Sequence, residues 1–193
     1  NTNAAEIANN REHNMSKVCI VTGASRGLGR GIAKVLAEER SATVYATARS
    51  EAALHDLASS IKGNTGVIHP VVLDQSDDSA VEKFITTVAE KERRIDLLVN
   101  SAYGGLTAMT PHFGKPFWER PISVFDASID IGLRSAFVSS AIVAPHMVSQ
   151  KSGLIVQISS FGGHSYLFDV GYGVGKAGLD RLSADMATEL NEH

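Results

Sequence analysis

The sequence predicts an α/β fold, a doubly wound parallel sheet with helices on both faces, and three observations carry that expectation. From Lys17 onward, short continuous apolar runs alternate with longer amphipathic windows, as buried strands alternate with crossover helices. Each run is bounded by Gly, Ser, Asp or Asn, residues that stop strands and open helices. A glycine-rich turn directly follows the first run.

Strands are expected over 17–22, 43–48, 67–73, 95–100 and 153–159, and helices over 28–39, 51–61, 77–92 and roughly 122–149, with a last helix beginning near Gly171. Right-handed crossovers put the ligand crevice of such a sheet at the carboxyl ends of its strands, where the strand order reverses. The residues with chemistry to offer follow predicted strands: the glycine turn, Arg49, Asp74, the 100–105 segment and Ser159-Ser160.

At 193 residues, 44% hydrophobic and 20% charged, the chain has the balance of one domain with a real core. A net charge of -3 without long Lys/Arg runs argues against a nucleic-acid partner. The single cysteine, Cys19, excludes an internal disulfide and agrees with a reducing compartment, so a cytoplasmic location is expected; its apolar neighbours Val18, Ile20 and Val21 suggest a buried thiol. The seven histidines are dispersed, without HExxH or Cys/His clustering, and no metal site is expected. The longest apolar stretch, 136–148, is interrupted by Ser139, Ser140, Pro145 and His146 and is too short to span a bilayer, so no membrane span is expected. Residues 1–14 are Asn-rich and polar; they read as a disordered leader, with a short amphipathic helix as the alternative, ahead of one nucleotide-binding domain over 15–193.

Thr22-Gly23-Ala24-Ser25-Arg26-Gly27-Leu28-Gly29 lies between the first strand and helix, where free backbone N–H groups and the helix dipole attract phosphate. Gly23 permits the turn, Gly27 close approach to a pyrophosphate, and Gly29 close helix packing. The bland alternative is glycines that merely tighten a turn. The same residues also fit the GxSxG elbow of a serine hydrolase with Ser25 as nucleophile, although that elbow normally follows a central strand reached after several others. Twenty residues past Gly29, where selection for NAD would place Asp or Glu, the chain has Arg49. Arginine suits a 2′-phosphate, so NADP(H) is the expected cofactor, with Arg26 as a second cation; both could instead be solvated surface charges.

Tyr172 and Lys176 are four residues apart at the start of a predicted helix, on one face. An ammonium near a phenol stabilises the phenolate, as acid/base chemistry requires. Ser160, twelve residues upstream, could hydrogen-bond a substrate oxygen while Tyr172 moves the proton. Ser159 is its near twin, and strand alternation sends the two to opposite sides without saying which faces the crevice.

Taken in order, Thr22-Gly-x-x-x-Gly-x-Gly29, Asp74, Asn100-Ser-Ala, Ile158-Ser-Ser160 and Tyr172-x-x-x-Lys176 closely resemble the short-chain dehydrogenase/reductase family. The resemblance implies a Rossmann-like sheet and an NADPH-dependent oxidoreductase that reduces a ketone or aldehyde, with a small carbonyl or alcohol as partner. It makes Tyr172 the acid/base, has Lys176 tune it and bind the nicotinamide ribose, and has Ser160 position the substrate oxygen. Gly23, Ser25, Arg26, Gly27, Leu28, Gly29 and Arg49 would line the cofactor, Asp74 would meet the adenine, and Asn100 and Ala102 would lie beside the cofactor. Asp74 could equally cap a turn, and Asn100 reads as more structural than catalytic.

Three departures qualify the resemblance. Ser101 and Tyr103 replace the second and fourth residues of the family's Asn-Asn-Ala-Gly segment. The family's helix asparagine falls at Gly132, in Ile131-Gly132-Leu133-Arg134-Ser135, so a proton relay there either uses a backbone carbonyl and water or is weakened. Family members continue beyond the Tyr-Lys helix, whereas this sequence stops at His193; C-terminal strands are therefore expected to be missing, leaving 153–159 as an open edge that could pair with a second copy. A truncated or non-catalytic dinucleotide-binding module is the competing reading. The 104–121 segment, with Phe113, Phe117 and Trp118, either lies over the crevice and contacts an apolar, steroid-like substrate or is stapled to the body by those aromatics. Phe161, His164, Tyr166 and Phe168 are further candidates for the substrate wall.

Overall fold

The computed structural model describes residues 16–62 and 66–193; the leader expected over 1–14 lies outside the described residues. The chain runs β1 (Val18–Thr22), α1 (Gly27–Arg40), β2 (Thr43–Ala48), α2 (Glu51–Ser59), β3 (Val67–Val72), α3 (Asp78–Glu92) and β4 (Leu97–Asn100). It continues through α4 (Gly105–Met109), α5 (Ile122–Ile129), a π turn (Asp130–Arg134), α6 (Ser135–Gln150), β5 (Leu154–Gln157) and α7 (Val170–Leu190).

All pairings are parallel, in the order β3-β2-β1-β4-β5. The sheet grows from β1 toward β3 and then resumes on the other side of β1 with β4, so the order reverses between β1 and β4. This is the doubly wound, Rossmann-like arrangement expected, with its crevice beyond Thr22 and Asn100. Among the described residues β5 pairs with β4 alone, and its first residue, Leu154, is exposed.

The period of two along each strand divides the core. Cys19 and Val21 of β1 join Val44 and Ala46 of β2 beneath Ala33, Ala37, Leu54 and Leu57 of α1 and α2. Val18, Ile20, Tyr45 and Leu98 face the other way, onto Val81, Ile85 and Val88 of α3 and Val143 and Met147 of α6. Burial pushes the Cys19 thiol up to about 12, with Asp96 adding to the effect, so it is an inert core thiol.

Three boundaries differ from the sequence expectation in ways that shape the site. β5 ends at Gln157 because the Ser159 N–H turns back to the Gln157 carbonyl, which frees Ser159 and Ser160 from the ladder. The helix expected over 122–149 is broken by the π turn centred on buried Gly132, a wide turn of the kind often found at functional sites. The 104–121 segment is partly helical: α4 is followed by 3₁₀ turns at Thr110–His112 and Phe117–Glu119.

The run from Ile122 to Gln150 is 29 residues long, with mean hydropathy reaching 1.3. Among the described residues it is the one helix long and apolar enough to cross a membrane, longer than the interrupted stretch read from sequence. Here it covers the sheet. Val143 and Met147 enter the core, and Ser140 receives hydrogen bonds from Asn100 of β4 and Gln157 of β5.

Candidate active site

The crevice is built where β1 and β4 end side by side. Thr22 Oγ1 accepts the backbone N–H groups of Ser101 at 3.0 Å and Ala102 at 3.1 Å, drawing the two strand ends together. Gly23 sits in that narrow gap at φ +67°, and a Cβ there would stand 2.7 Å from the Ala102 Cα; only glycine meets both conditions. Asn100 is buried, its amide donating to the Ala136 carbonyl at 3.3 Å and to Ser140 Oγ at 3.1 Å. It acts on the crevice through the backbone it pins to α6; its side chain is turned into the fold.

Helix α1 opens toward the same space. Its N-cap, Arg26, makes no side-chain cap bond and the first turn carries no acid, whereas Ser50, Asp77 and Asp169 cap α2, α3 and α7. Gly27 has φ +57°, and a Cβ placed on it would meet nothing within 4 Å. Uncapped N–H groups, a helix dipole and open space over glycine form a cradle that fits a phosphate. Leu28, 69% exposed, stands at its mouth, and Gly29 is buried against the Gly23 backbone. Ser25 is half-buried, and no hydrogen bond among the described residues links it to a histidine, so the relay that a nucleophile elbow needs is not assembled.

Arg26 and Arg49, the two arginines expected at one phosphate, have different surroundings. Arg26 Nη2 reaches Thr107 Oγ1 of α4 at 3.5 Å, on the β4 side of the crevice. Arg49 follows β2 on the other side, exposed and without a hydrogen bond among the described residues, its charge felt by Asp74. Asp74 Oδ1 accepts the Ser76 N–H at 2.9 Å and Oγ–H at 2.8 Å. Those bonds, the backbone one first, hold its carboxyl below the usual range, and its second oxygen makes no hydrogen bond among the described residues.

Across the crevice the structure brings Ser160, Tyr172 and Lys176 together. Ser160 is the serine facing the crevice: its Oγ accepts the Tyr172 hydroxyl at 2.8 Å and the Gly162 N–H at 3.0 Å, which leaves its own hydrogen free. Ser159 Oγ bonds instead to the Lys176 carbonyl at 3.4 Å. Gly162 lies so close to the Tyr172 ring that a Cβ would overlap it. Lys176 is buried, its Nζ donating to the Ile158 carbonyl at 2.6 Å. Burial pulls its pKa below the ordinary lysine value, and Asp180 partly opposes the shift.

Sequence reasoning missed what frames this trio. Buried Asp169 caps α7 by accepting the Tyr172 N–H at 2.7 Å and pairs with Arg120 at 3.2 Å. Arg120 also donates to the Lys115 carbonyl, so this pair and fully buried Met109 anchor the 104–121 segment. Of its aromatics, Phe113 meets the Phe168 ring with centroids 6.1 Å apart, whereas Phe117 and Trp118 are 65 and 72% exposed. Phe168, at φ +67° and next to the cap, turns its ring edge to Tyr172 with centroids 5.2 Å apart, a backbone conformation costly for a bulky residue. Tyr103 packs against Tyr172 from the opposite segment, with centroids 5.5 Å apart at 82°. The Asp three residues before Tyr172 is a cap signal legible in the sequence; the Arg120 and Tyr103 contacts have no local signature.

Comparison with known proteins agrees with this geometry. Residues 17–193 match the family model described as short chain dehydrogenase. The chain is 46% identical over 178 residues to mouse dehydrogenase/reductase SDR family member 1, covering 92% of this chain and 56% of that protein, and so spans little more than half its length. Among solved structures it is similar to a metagenomic short-chain oxidoreductase in complex with NADP, with a TM-score of 0.80 and 33% identity over 92% of this chain and 77% of that one. It is also similar to a 7α-hydroxysteroid dehydrogenase complexed with NADH and 7-oxo glycochenodeoxycholic acid, with a TM-score of 0.79 and 27% identity over 91% of this chain and 66% of that one. With its Rossmann-like sheet, glycine cradle and Ser160, Tyr172 and Lys176 at the strand ends, the chain belongs to the short-chain dehydrogenase/reductase family.

Proposed function

We propose that this chain, within the enzyme it forms, uses NADPH to reduce an apolar ketone or aldehyde, with Tyr172 as the proton donor. The observation that carries the reading is the Ser160–Tyr172–Lys176 cluster: two hydroxyls 2.8 Å apart and a buried ammonium across the crevice from an open phosphate cradle. When bound, NADPH would supply the hydride for the carbonyl carbon. A carbonyl oxygen within reach of both hydroxyls receives the free Ser160 hydrogen bond, which stabilises developing negative charge. The Tyr172 hydroxyl, released from Ser160, gives that oxygen its proton. Lys176 offsets the negative charge left on the phenol. The backbone of 23–29 and the start of α1 would hold the pyrophosphate, and Arg49 the 2′-phosphate. The exposed Phe113, Phe161, Tyr166 and Phe168 around the crevice support an apolar substrate.

Because Arg49 directly follows β2 and makes no hydrogen bond among the described residues, cofactor choice is tested there. Arg49→Asp is expected to weaken NADPH binding about 30-fold or more, the scale of a lost charge-assisted pair plus a new repulsion, while leaving NADH binding within a few-fold. Thermal-shift titrations of both proteins with both cofactors measure this. Equal losses for NADPH and NADH would remove the 2′-phosphate assignment. NADPH binding without consumption across a broad carbonyl panel would leave a binding module in place of a reductase.

A further inference from the structure

We propose that Tyr103 is a positioning residue for proton transfer, its ring seated on the bare backbone of Gly132 so as to hold the Lys176 ammonium beside Tyr172. The proposal rests on the reductase reading above and adds to it a residue outside the Ser160–Tyr172–Lys176 cluster.

The slot that receives Tyr103 is made of two glycines. A Cβ on Gly132 would stand 3.1 and 3.2 Å from Cδ2 and Cε2 of the Tyr103 ring, and a Cβ on Gly105 would overlap its hydroxyl and Ser128 Oγ. The hydroxyl is pinned at the far end, 3.0 Å from Ser128 Oγ, which in turn donates to the Val124 carbonyl at 3.3 Å. Held at both ends, the ring meets Lys176 Nζ 5.2 Å from its centroid, while Nζ lies 5.8 Å from the Tyr172 ring. The ammonium is thus fixed by two aromatic rings and the Ile158 carbonyl. A lysine on a flexible four-carbon stem needs such a frame to keep one position, and ring quadrupoles attract the charged form.

The surrounding charges leave this role to the ring. Asp180 favours the ammonium from Lys176's own helix, with His164 3.7 Å from its carboxylate. Asp169, at the start of the helix, is paired with Arg120 from the 104–121 segment. From the β4 side the facing group is Tyr103. Burial pushes its phenol up to about 12, so it stays neutral beside the ammonium. The two departures in the sequence, a tyrosine at 103 and a glycine at 132, are halves of one packing exchange: the side chain missing from α6's π turn is replaced by a ring from the β4 loop.

The test compares Tyr103→Phe, which keeps the ring, with Tyr103→Leu, which keeps apolar bulk without a quadrupole. The Lys176 ε-carbon is titrated by NMR, a readout independent of turnover, and kcat, KM and the pH profile are measured with NADPH and a carbonyl substrate. In Tyr103→Leu the lysine loses its ring but not its burial, so its midpoint should fall by about half a pH unit or more. The limb of the pH profile that follows Lys176 should move with it, and kcat should fall roughly 10-fold at unchanged KM. Tyr103→Phe, which keeps the ring in its glycine slot but loses the Ser128 tether, should shift the midpoint and lower kcat by clearly less than Tyr103→Leu does. Gly132→Ala, which crowds the ring without touching it chemically, should lower kcat in the wild type and add nothing in Tyr103→Leu; this variant stands in if Tyr103→Leu fails to fold.

An unchanged Lys176 midpoint in Tyr103→Leu overturns the proposal, as does a shifted midpoint with unchanged kcat. If the wild type reduces no carbonyl, the reductase reading fails, and the Lys176 titration by itself still upholds or overturns the placement of the ammonium by Tyr103.

Discussion

Tyr172→Phe is expected to lower kcat for carbonyl reduction by about a thousandfold, within the usual range for removing a positioned general acid. The substitution is clean because it deletes one oxygen. The edge contacts of the ring with Tyr103 and Phe168 remain, as does its packing on Gly162. The cap bond from Asp169 goes to the backbone N–H and is untouched. Thermal stability should therefore change by no more than about 1 kcal/mol, the worth of one hydroxyl hydrogen bond, and NADPH binding should be nearly intact. Single-turnover oxidation of bound NADPH, followed with wild type and variant side by side, measures the loss. Retention of a tenth or more of the wild-type rate would take the proton-donor role away from Tyr172 and direct attention to Ser160.

The second large effect is on stability, far from the crevice. Asp96, just before β4, accepts the Val18 N–H at 2.8 Å, the Arg94 Nε–H at 2.7 Å and the Lys17 ammonium at 3.2 Å, with a further bond from Arg94 Nη2. Its side chain is 7% exposed, and its own carbonyl accepts the Leu154 N–H that starts β5. One carboxylate thus joins the beginnings of β1 and β4. Asp96→Asn is expected to cost about 3 kcal/mol, as breaking a buried ion pair does, and to lower Tm by roughly 6–12 °C in a domain of this size.

The pH dependence has a definite sign. Burial raises the Asp96 pKa, but the bonds from Arg94, the Val18 N–H and Lys17 outweigh it and leave the carboxyl below its ordinary value. A depressed carboxyl contributes its stability above the unfolded value, about 3.9, and loses it as pH falls through the folded value. The Tm gap between wild type and Asp96→Asn should be full at pH 7 and close in acid below about pH 4. A gap that stays constant down to pH 3 would mean that shape, not charge, makes Asp96 matter.

Much of this was legible in the chain. The runs at 18–22 and 43–48 are apolar on both faces, as only a doubly covered strand can be, and their boundaries fall within a residue of those read from sequence. The glycine turn and the Tyr172–Lys176 spacing are local patterns with local causes, so they could be read before any fold was known. Asn100 could be placed on a strand, and Ser159, expected on one, lies just past the end of β5; which way each side chain points depends on α6 and α7, elements far along the chain. The Tyr103–Gly132 slot and the Arg120–Asp169 pair lie further beyond reach, because they join segments 29 and 49 residues apart and no periodicity reports a contact of that kind. For the aromatics of 104–121 the sequence left crevice contact and anchoring both open; buried Met109 and the Arg120 bonds, which anchor the segment, carry no local signal of that role.

Cys19 lies on β1, the middle strand of the five, and is 2% exposed. As the chain's one cysteine, it is a natural clock for the opening of the sheet. A thiol reagent can reach it only when α1 and α2 lift away, so the slow rate of its modification counts excursions of the molecule's centre rather than the breathing of its loops. Adding NADPH should slow that clock in proportion to how tightly the cofactor holds β1 and α1 together.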